Sequence, residues 1–389
     1  MSVAAVAGVA LEEYLDHRCE LGPGGLGPGG LGPGGLGPVE VLWENNGWSV
    51  RGTAGGNELL LWTSPYLLAS ASEGPFRRRR FSAVQTLLVL AGPEALDGPL
   101  IDAPFLAAGW DERELLGWDA VEVGTEAGGD GATLRWKAAG RTVSSRAGSR
   151  PGWHLGGAHA GVGLDVAIIP EAAAIWLAGA TLPRAAPGDR WFVANGSATG
   201  TLSLAGRSLA LEGHAVHERH VHLADGYDPL RLLRGDGVTW HTARSDVCSL
   251  AVLSRPSLGR HWAQAVLDGK AMDLSGPGAV SVEVTAQWTD PLSRFVVPSA
   301  WSLRLRHEEG ELRLETAAHR RAYHLWSHLS GGETVCYWWL ATSAASWHPA
   351  GGRARQLGVM RSEAHQNRTF VTSGPTSPES LLRNLTESE

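Results

Sequence analysis

Beyond residue 38 the apolar and polar positions recur mostly at a period of two, and the helical period is scarce. Thr201-Leu202-Ser203-Leu204 alternates, Ala205-Gly206 has turn composition, and Ser208-Leu209-Ala210-Leu211 alternates again, which predicts a hairpin. Trp301 to Arg306 pairs in the same way with Glu311 to Glu315 across Glu308-Glu309-Gly310. Val282, Val284, Ala286 and Trp288 fall on one face of a strand, and Val335, Tyr337 and Trp339 on one face of another. Short helices are expected near Leu258 to Leu267 and from Pro378 to Leu385. Short strands with polar turns at this density imply sandwiches or barrels. The expectation is a mainly antiparallel β protein in two sheet-rich domains, with a boundary between about Leu230 and Pro256.

Residues 21 to 38 read LGPGG three times and then LGP. Gly and Pro at this density oppose helix and sheet alike, and a period of five excludes collagen, so the stretch reads as a flexible insertion in a loop. With 43% hydrophobic residues in 389 the chain can bury a large core, which excludes wholesale disorder. No apolar run approaches the ~20 residues of a membrane helix, and Met1 to Ala10 lacks a basic flank, so neither stable membrane insertion nor a signal peptide is expected. Cys19, Cys248 and Cys336 are too scattered for a disulfide framework. The compartment expected is cytoplasmic, so the sequons at Asn195, Asn367 and Asn384 should stay unmodified. The net charge is -7, Lys occurs only at Lys137 and Lys270, and the one basic cluster is Arg77 to Arg80. Four arginines in an acidic chain, with no basic stripe around them, give no support for a nucleic-acid partner.

The chemistry concentrates between Trp191 and His222, where His214, His217, His220 and His222 fall within nine residues. On a strand, His214, Glu218, His220 and His222 project to one face, and His217 and Arg219 to the other. Alternate histidines on one strand can share a zinc ion, but HERH is one residue short of HExxH and no further ligand follows at a recognisable spacing. Two other readings stand beside the metal: a polar strand facing water, and a pocket in which Glu218 and a histidine act as acid, base or hydrogen-bond donor.

The order of residues here resembles the lipocalin-like carotenoid hydratase and AttH-type family, whose members include kievitone hydratase and fungal Diels–Alderases. The matching residues are Trp191-Phe192, Gly200-Thr201-Leu202, Gly206, Gly213, Ala215, His217 and Glu218. A second block follows in the family's order, Trp288-Thr289-Asp290-Pro291 and then Val297-Pro298-Ser299-Ala300-Trp301-Ser302-Leu303. Together they span roughly residues 190 to 315, while the N-terminal 190 residues match only in being strand-like and Trp-rich. The chain departs from the pattern at Val216 and Val221, where the family often has aromatics, and at Glu218, where Asp is commoner. The resemblance implies an all-β chain of two lipocalin-like antiparallel barrel or sandwich domains, over residues 40–240 and 241–389, behind an N-terminal segment 1–39. It implies a hydrophobic pocket for a polyene or terpenoid-type small molecule, with no cofactor and no metal.

Seventeen Trp residues agree with an aromatic pocket, since each rigid ring buries roughly 150–250 Å2, although most of them should fill barrel cores. The expected catalytic residues are Glu218, His217 and His220, with His214, Trp191, Trp288, Trp301, Tyr323, Trp326 and Trp339 against the substrate. A pericyclic cyclisation needs a near-attack geometry and one hydrogen bond to a dienophile carbonyl, a role Glu218 suits where burial keeps it protonated. A hydratase would use the same groups to protonate an alkene and deliver water, with His217 or His220 as base. A carrier would use the aromatic pocket alone. No G-x-S-x-G elbow, P-loop or strand-linked GxGxxG occurs, so serine-hydrolase, NTPase and Rossmann chemistry have no support.

Overall fold

The computed structural model describes residues 40–69, 80–92, 101–102, 107–114, 121–124, 133–146, 152–171, 175–176, 190–224, 238–255, 259–274, 277–289, 296–327 and 333–370. The LGPGG repeat, Arg77 to Arg79, Asp290 and the segment from Pro378 to Leu385 lie outside the described residues. Within them the protein is all-β and contains no helix.

The strands run β1 (Glu40–Ala54), β2 (Asn57–Ala69), β3 (Arg80–Ala91), β4 (Ile101–Asp102), β5 (Ala107–Glu114), β6 (Val121–Gly124), β7 (Thr133–Ala138), β8 (Arg141–Arg146), β9 (Gly152–His159), β10 (Val162–Pro170) and β11 (Ile175–Trp176). They continue as β12 (Arg190–Leu204), β13 (Arg207–Ala224), β14 (Val238–Arg244), β15 (Cys248–Arg255), β16 (Arg260–Leu267), β17 (Lys270–Asp273), β18 (Val280–Thr289), β19 (Val296–His307), β20 (Gly310–Ser327), β21 (Glu333–Pro349) and β22 (Arg355–Phe370). Two compact units share them, one within residues 1–93 and 105–229, the other within 94–104 and 230–389.

The first unit holds a 12-stranded sheet in the order β5-β3-β2-β1-β13-β12-β10-β9-β8-β7-β6, with β11 beside β12. It curls until β7 lies close to β2 and β3. The inner face carries Trp48, Val50, Leu61, Trp153, Leu155, Val166, Ile168, Ala198 and Leu202, all buried. Arg141 on β8 ties the curl shut: its guanidinium donates to Gly157 O at 2.8 Å, Val162 O at 3.1 Å and Thr86 Oγ1 at 3.4 Å. Burial lowers its pKa to about 10.

The second unit holds a 10-stranded sheet in the order β17-β16-β15-β14-β22-β21-β20-β19-β18, with β4 parallel to β20. Its ends meet where β16 approaches β18, so the sheet nearly closes into a barrel. Leu250, Val252, Ala265, Leu303, Leu305, Leu312, Leu314 and Met360 fill its core. A chain of buried hydroxyls crosses that interior, Thr316 Oγ1 to Ser343 Oγ to Ser362 Oγ at 2.6 Å each.

Both expected hairpins form. Leu204 pairs with Arg207 around Ala205-Gly206, and His307 with Gly310 around Glu308-Glu309. Tyr337 and Trp339 share the core face of β21 as expected. The helix expected near Leu258 to Leu267 is instead strand β16, hydrogen-bonded between β15 and β17. Its Ala, Gln and Leu residues favour a helix in isolation, but Ala263, Ala265 and Leu267 alternate into the barrel core, and burial outweighs propensity. On β18, irregularities at Val284/Ala286 and Ala286/Gln287 interrupt the single face expected for Val282, Val284, Ala286 and Trp288. Val284 is left 43% exposed, while Trp288 packs against the core.

Candidate functional site

Strand β13 carries most of the candidate residues and pairs with β1 on one side and β12 on the other. Residues directly opposite in an antiparallel pair share a face. His217 lies opposite Trp48 and Ala194, and Glu218 opposite Gly47 and Val193. The two faces of β13 therefore separate His217 from Glu218.

On the inner face His217 is only 1% exposed. Its ring stacks on Trp48, with centroids 3.8 Å apart and planes within 6°, and Trp153 closes the other side at 5.1 Å. Trp153 also meets Trp48 edge-on at 5.0 Å, a contact that the curl of the sheet creates between β9 and β1. His217 Nε2–H donates to Asn46 Oδ1 on β1. An imidazole held by two indoles and an amide is fixed in orientation and belongs to the interior packing of this unit.

The opposite face gathers Glu218, Val216 and His214 of β13 with Asn195, Ser49, Trp62, Tyr66 and Gln85 from the neighbouring strands, all buried. Gly47 lies across from Glu218, and a Cβ there would come within 2.3 Å of the Trp62 ring and 3.1 Å of Glu218 Cγ. The missing side chain is what allows the indole to lie beside the glutamate. Trp62 Nε1–H donates to Gln85 Oε1 at 2.7 Å, and the Tyr66 hydroxyl to the same oxygen at 3.4 Å, which fixes the plane of the ring. His214 Nε2–H donates to Asn195 Oδ1 at 3.1 Å, so the first sequon sits on a residue with no exposure. The face thus carries the Glu218 carboxyl group, an indole, a phenol, neutral amides and the His214 imidazole, with Arg51, paired to Glu58, farther along the same strands.

His220 pairs with Asn45 and Trp191 in the ladder, but the side chains of His220 and Trp191 lie outside the described residues. The remaining candidates belong to the second unit. Trp301 and Trp339 are buried in its core, ring centroids 5.5 Å apart at 77°. Trp288 is partly buried, with the Arg321 guanidinium 4.0 Å above its ring. Tyr323 and Trp326 lie on β20 opposite Tyr337 and Thr334, and their side chains are outside the described residues. Among the described residues, no group of three His, Cys, Asp or Glu side chains is placed to hold a metal ion, and no helix is long and apolar enough to cross a membrane.

No family model matches the chain, and no curated protein does. Solved structures do. A Nitrosomonas europaea protein provisionally named AttH aligns with 83% of this chain and 92% of its own at a TM-score of 0.52 and 14% identity. This chain shares the fold of that structure. Kievitone hydratase from Nectria haematococca (TM-score 0.46, 13% identity, 86% of this chain and 89% of that one) and CghA with Sch210972 (0.48, 13%, 85% and 89%) superpose less closely. At these identities the likeness concerns the fold, as the sequence resemblance implied.

Sequence reasoning missed Asn46, Gly47, Trp48, Trp62, Gln85 and Trp153. No local signal joins Asn46 to His217, which lie 171 positions apart and meet only through the β1–β13 pairing.

Proposed function

We propose that the protein is a cofactor-independent, Diels–Alderase-like cyclase or isomerase acting on a hydrophobic polyene or terpenoid-type intermediate of natural-product biosynthesis. Glu218 is its acid, and the face shared by β1, β2, β12 and β13 is its binding surface. The observation that carries the reading is Glu218, 8% exposed, set beside the Trp62 indole by the absence of a side chain at Gly47. A pericyclic reaction needs little more from a protein. Rigid aromatic walls hold the reacting ends together, worth up to roughly 7–11 kcal/mol in favourable cases, and one hydrogen bond to a carbonyl adds a few more. Trp62 and Tyr66, both anchored on Gln85, supply such walls, and the acid form of Glu218 supplies the hydrogen bond. The sequence resemblance of the β12–β13 hairpin supports the same chemistry.

A hydratase needs an acid and a base at one double bond. His217 lies on the other face of β13, and His214 is four residues from Glu218 along the strand, about 13 Å at 3.3 Å per residue. That spacing favours a single acid over an acid–base pair of Glu218 with His217 or His214, and the mass and labelling test below decides the pair with His220, two positions along β13.

Metabolite profiling of the source organism with the gene deleted tests the proposal. The compound that accumulates and the one that disappears should have equal mass, and complementation with Glu218→Gln should not restore the product. A mass difference of one water, with labelled oxygen entering from water, would replace the reading by a hydratase. Full complementation by Glu218→Gln, or no change in metabolites, would leave a carrier of a lipophilic ligand.

A further inference from the structure

Inside the second unit, neither ring nitrogen of His241 has a hydrogen-bond partner among the described residues, and neither does Nε1 of Trp339. His241 is 2% exposed and Trp339 not at all. Both rings pack on Trp301, the imidazole edge-on at 5.2 Å and the indole at 5.5 Å, and Tyr337 stacks beside Trp339 at 6.0 Å. The wall beside His241 is built from short side chains. Its ladder partners are Ala364 on β22 and Val252 on β15, and Ala263 lies opposite Val252 on β16. A buried polar atom left unpaired costs about 1–3 kcal/mol, and native interiors rarely keep several of them together. Three such nitrogens lie around one indole, on a barrel face that also carries the paired hydroxyls of Thr316, Ser343 and Ser362 and the Arg321 guanidinium, and aromatic walls with a few polar groups are the composition of a small-molecule site.

We propose that the interior of the second unit binds a small, uncharged aromatic alcohol, whose hydroxyl donates to the bare nitrogen of the neutral His241 ring and accepts from the Trp339 indole N–H. A hydroxyl is the smallest group that serves both an acceptor and a donor at once. Burial holds the imidazole neutral, its pKa pushed down to about 3, so one of its nitrogens can accept from a hydroxyl. The site shares no residue with the Glu218 face and does not depend on the reading given to it.

Calorimetric titration of the full chain with p-cresol and with its isostere p-xylene tests this. The cresol should bind about tenfold more tightly, the factor that one buried hydrogen bond worth about 1.4 kcal/mol confers. His241→Phe should erase that preference, Glu218→Gln should leave it intact, and Ala364→Leu, which sets a larger side chain beside the imidazole, should abolish binding of both probes. In the unmodified protein, cresol should shift the ring resonances of a histidine that is neutral at pH 7, a readout that survives if the variants fail to fold. Absence of cresol binding would mean that water satisfies these nitrogens. An unchanged preference in folded His241→Phe would place the hydroxyl elsewhere. Either result overturns the proposal.

Discussion

Glu218 and Gly47 form one device, because the glycine sets the distance between the carboxyl-bearing side chain and the Trp62 ring. Glu218→Gln keeps the volume and removes the acid, so turnover should fall about a hundredfold while thermal stability stays nearly constant. Normal turnover would remove Glu218 from the chemistry. Gly47→Ala tests the spacing. Its methyl group meets the indole at 2.3 Å, and overpacking of this kind costs about 1–3 kcal/mol. The near-UV signal of Trp62 should change and turnover should drop although Glu218 is untouched; unchanged kinetics would show that the ring position is irrelevant. Cys248 makes a contrasting case. Burial, reinforced by the charge of Asp268, pushes its thiol up to about 12, so it should resist iodoacetamide at neutral pH until the second unit unfolds, as read by mass spectrometry. The alternation that put Glu218 and His217 on opposite faces was legible in the sequence. Which face carries Trp62 was not, because only the pairing of β1 with β2 and with β13 brings Gly47, Trp62 and Glu218 together.

Hairpins were read correctly because their information is local: two alternating runs and a turn of suitable composition fix both strands and register. At Ala205-Gly206 the backbone has φ of 49° and 77°, the left-handed pair of a type I′ turn, and alanine there carries a steric penalty of roughly 1 kcal/mol. Ala205→Asn supplies the residue that tolerates this conformation and should raise stability by about 0.5–1 kcal/mol, about 2 °C in the melting temperature of the first unit. A lower melting temperature would show that the turn is set by something other than these angles. The β16 error has the opposite origin. Its sequence carries helix-forming residues, and what makes it a strand is non-local: β15 and β17 on its flanks and a barrel core on one face. The two irregularities of β18 belong here as well, since a shifted register leaves no trace in the strand's own composition.

Across the whole molecule, the buried histidines make stability depend on acid. His241 is held neutral by burial, with His365 and His261 adding repulsion to its charged form, and its pKa falls from 6.5 to about 3. His365 is lowered too, by burial first, against the opposing hydrogen bond and charge of Glu363; burial also lowers His261. In the unfolded chain all three titrate near 6.5, so below that pH the unfolded state binds more protons than the folded one. Stability is therefore complete above pH 6.5 and drains away as the pH falls toward about 3. By about pH 4.5 His241 alone should remove about 2–3 kcal/mol, at 1.36 kcal/mol per unit. All three residues belong to the second unit, so acid should loosen it, with amide exchange in β14 and β22 rising as the pH falls below about 6.5. His241→Phe should flatten the slope between about pH 6.5 and 4.5 without abolishing it, because His365 remains. An unchanged slope in the variant would mean that the interior of the second barrel admits the proton and its water.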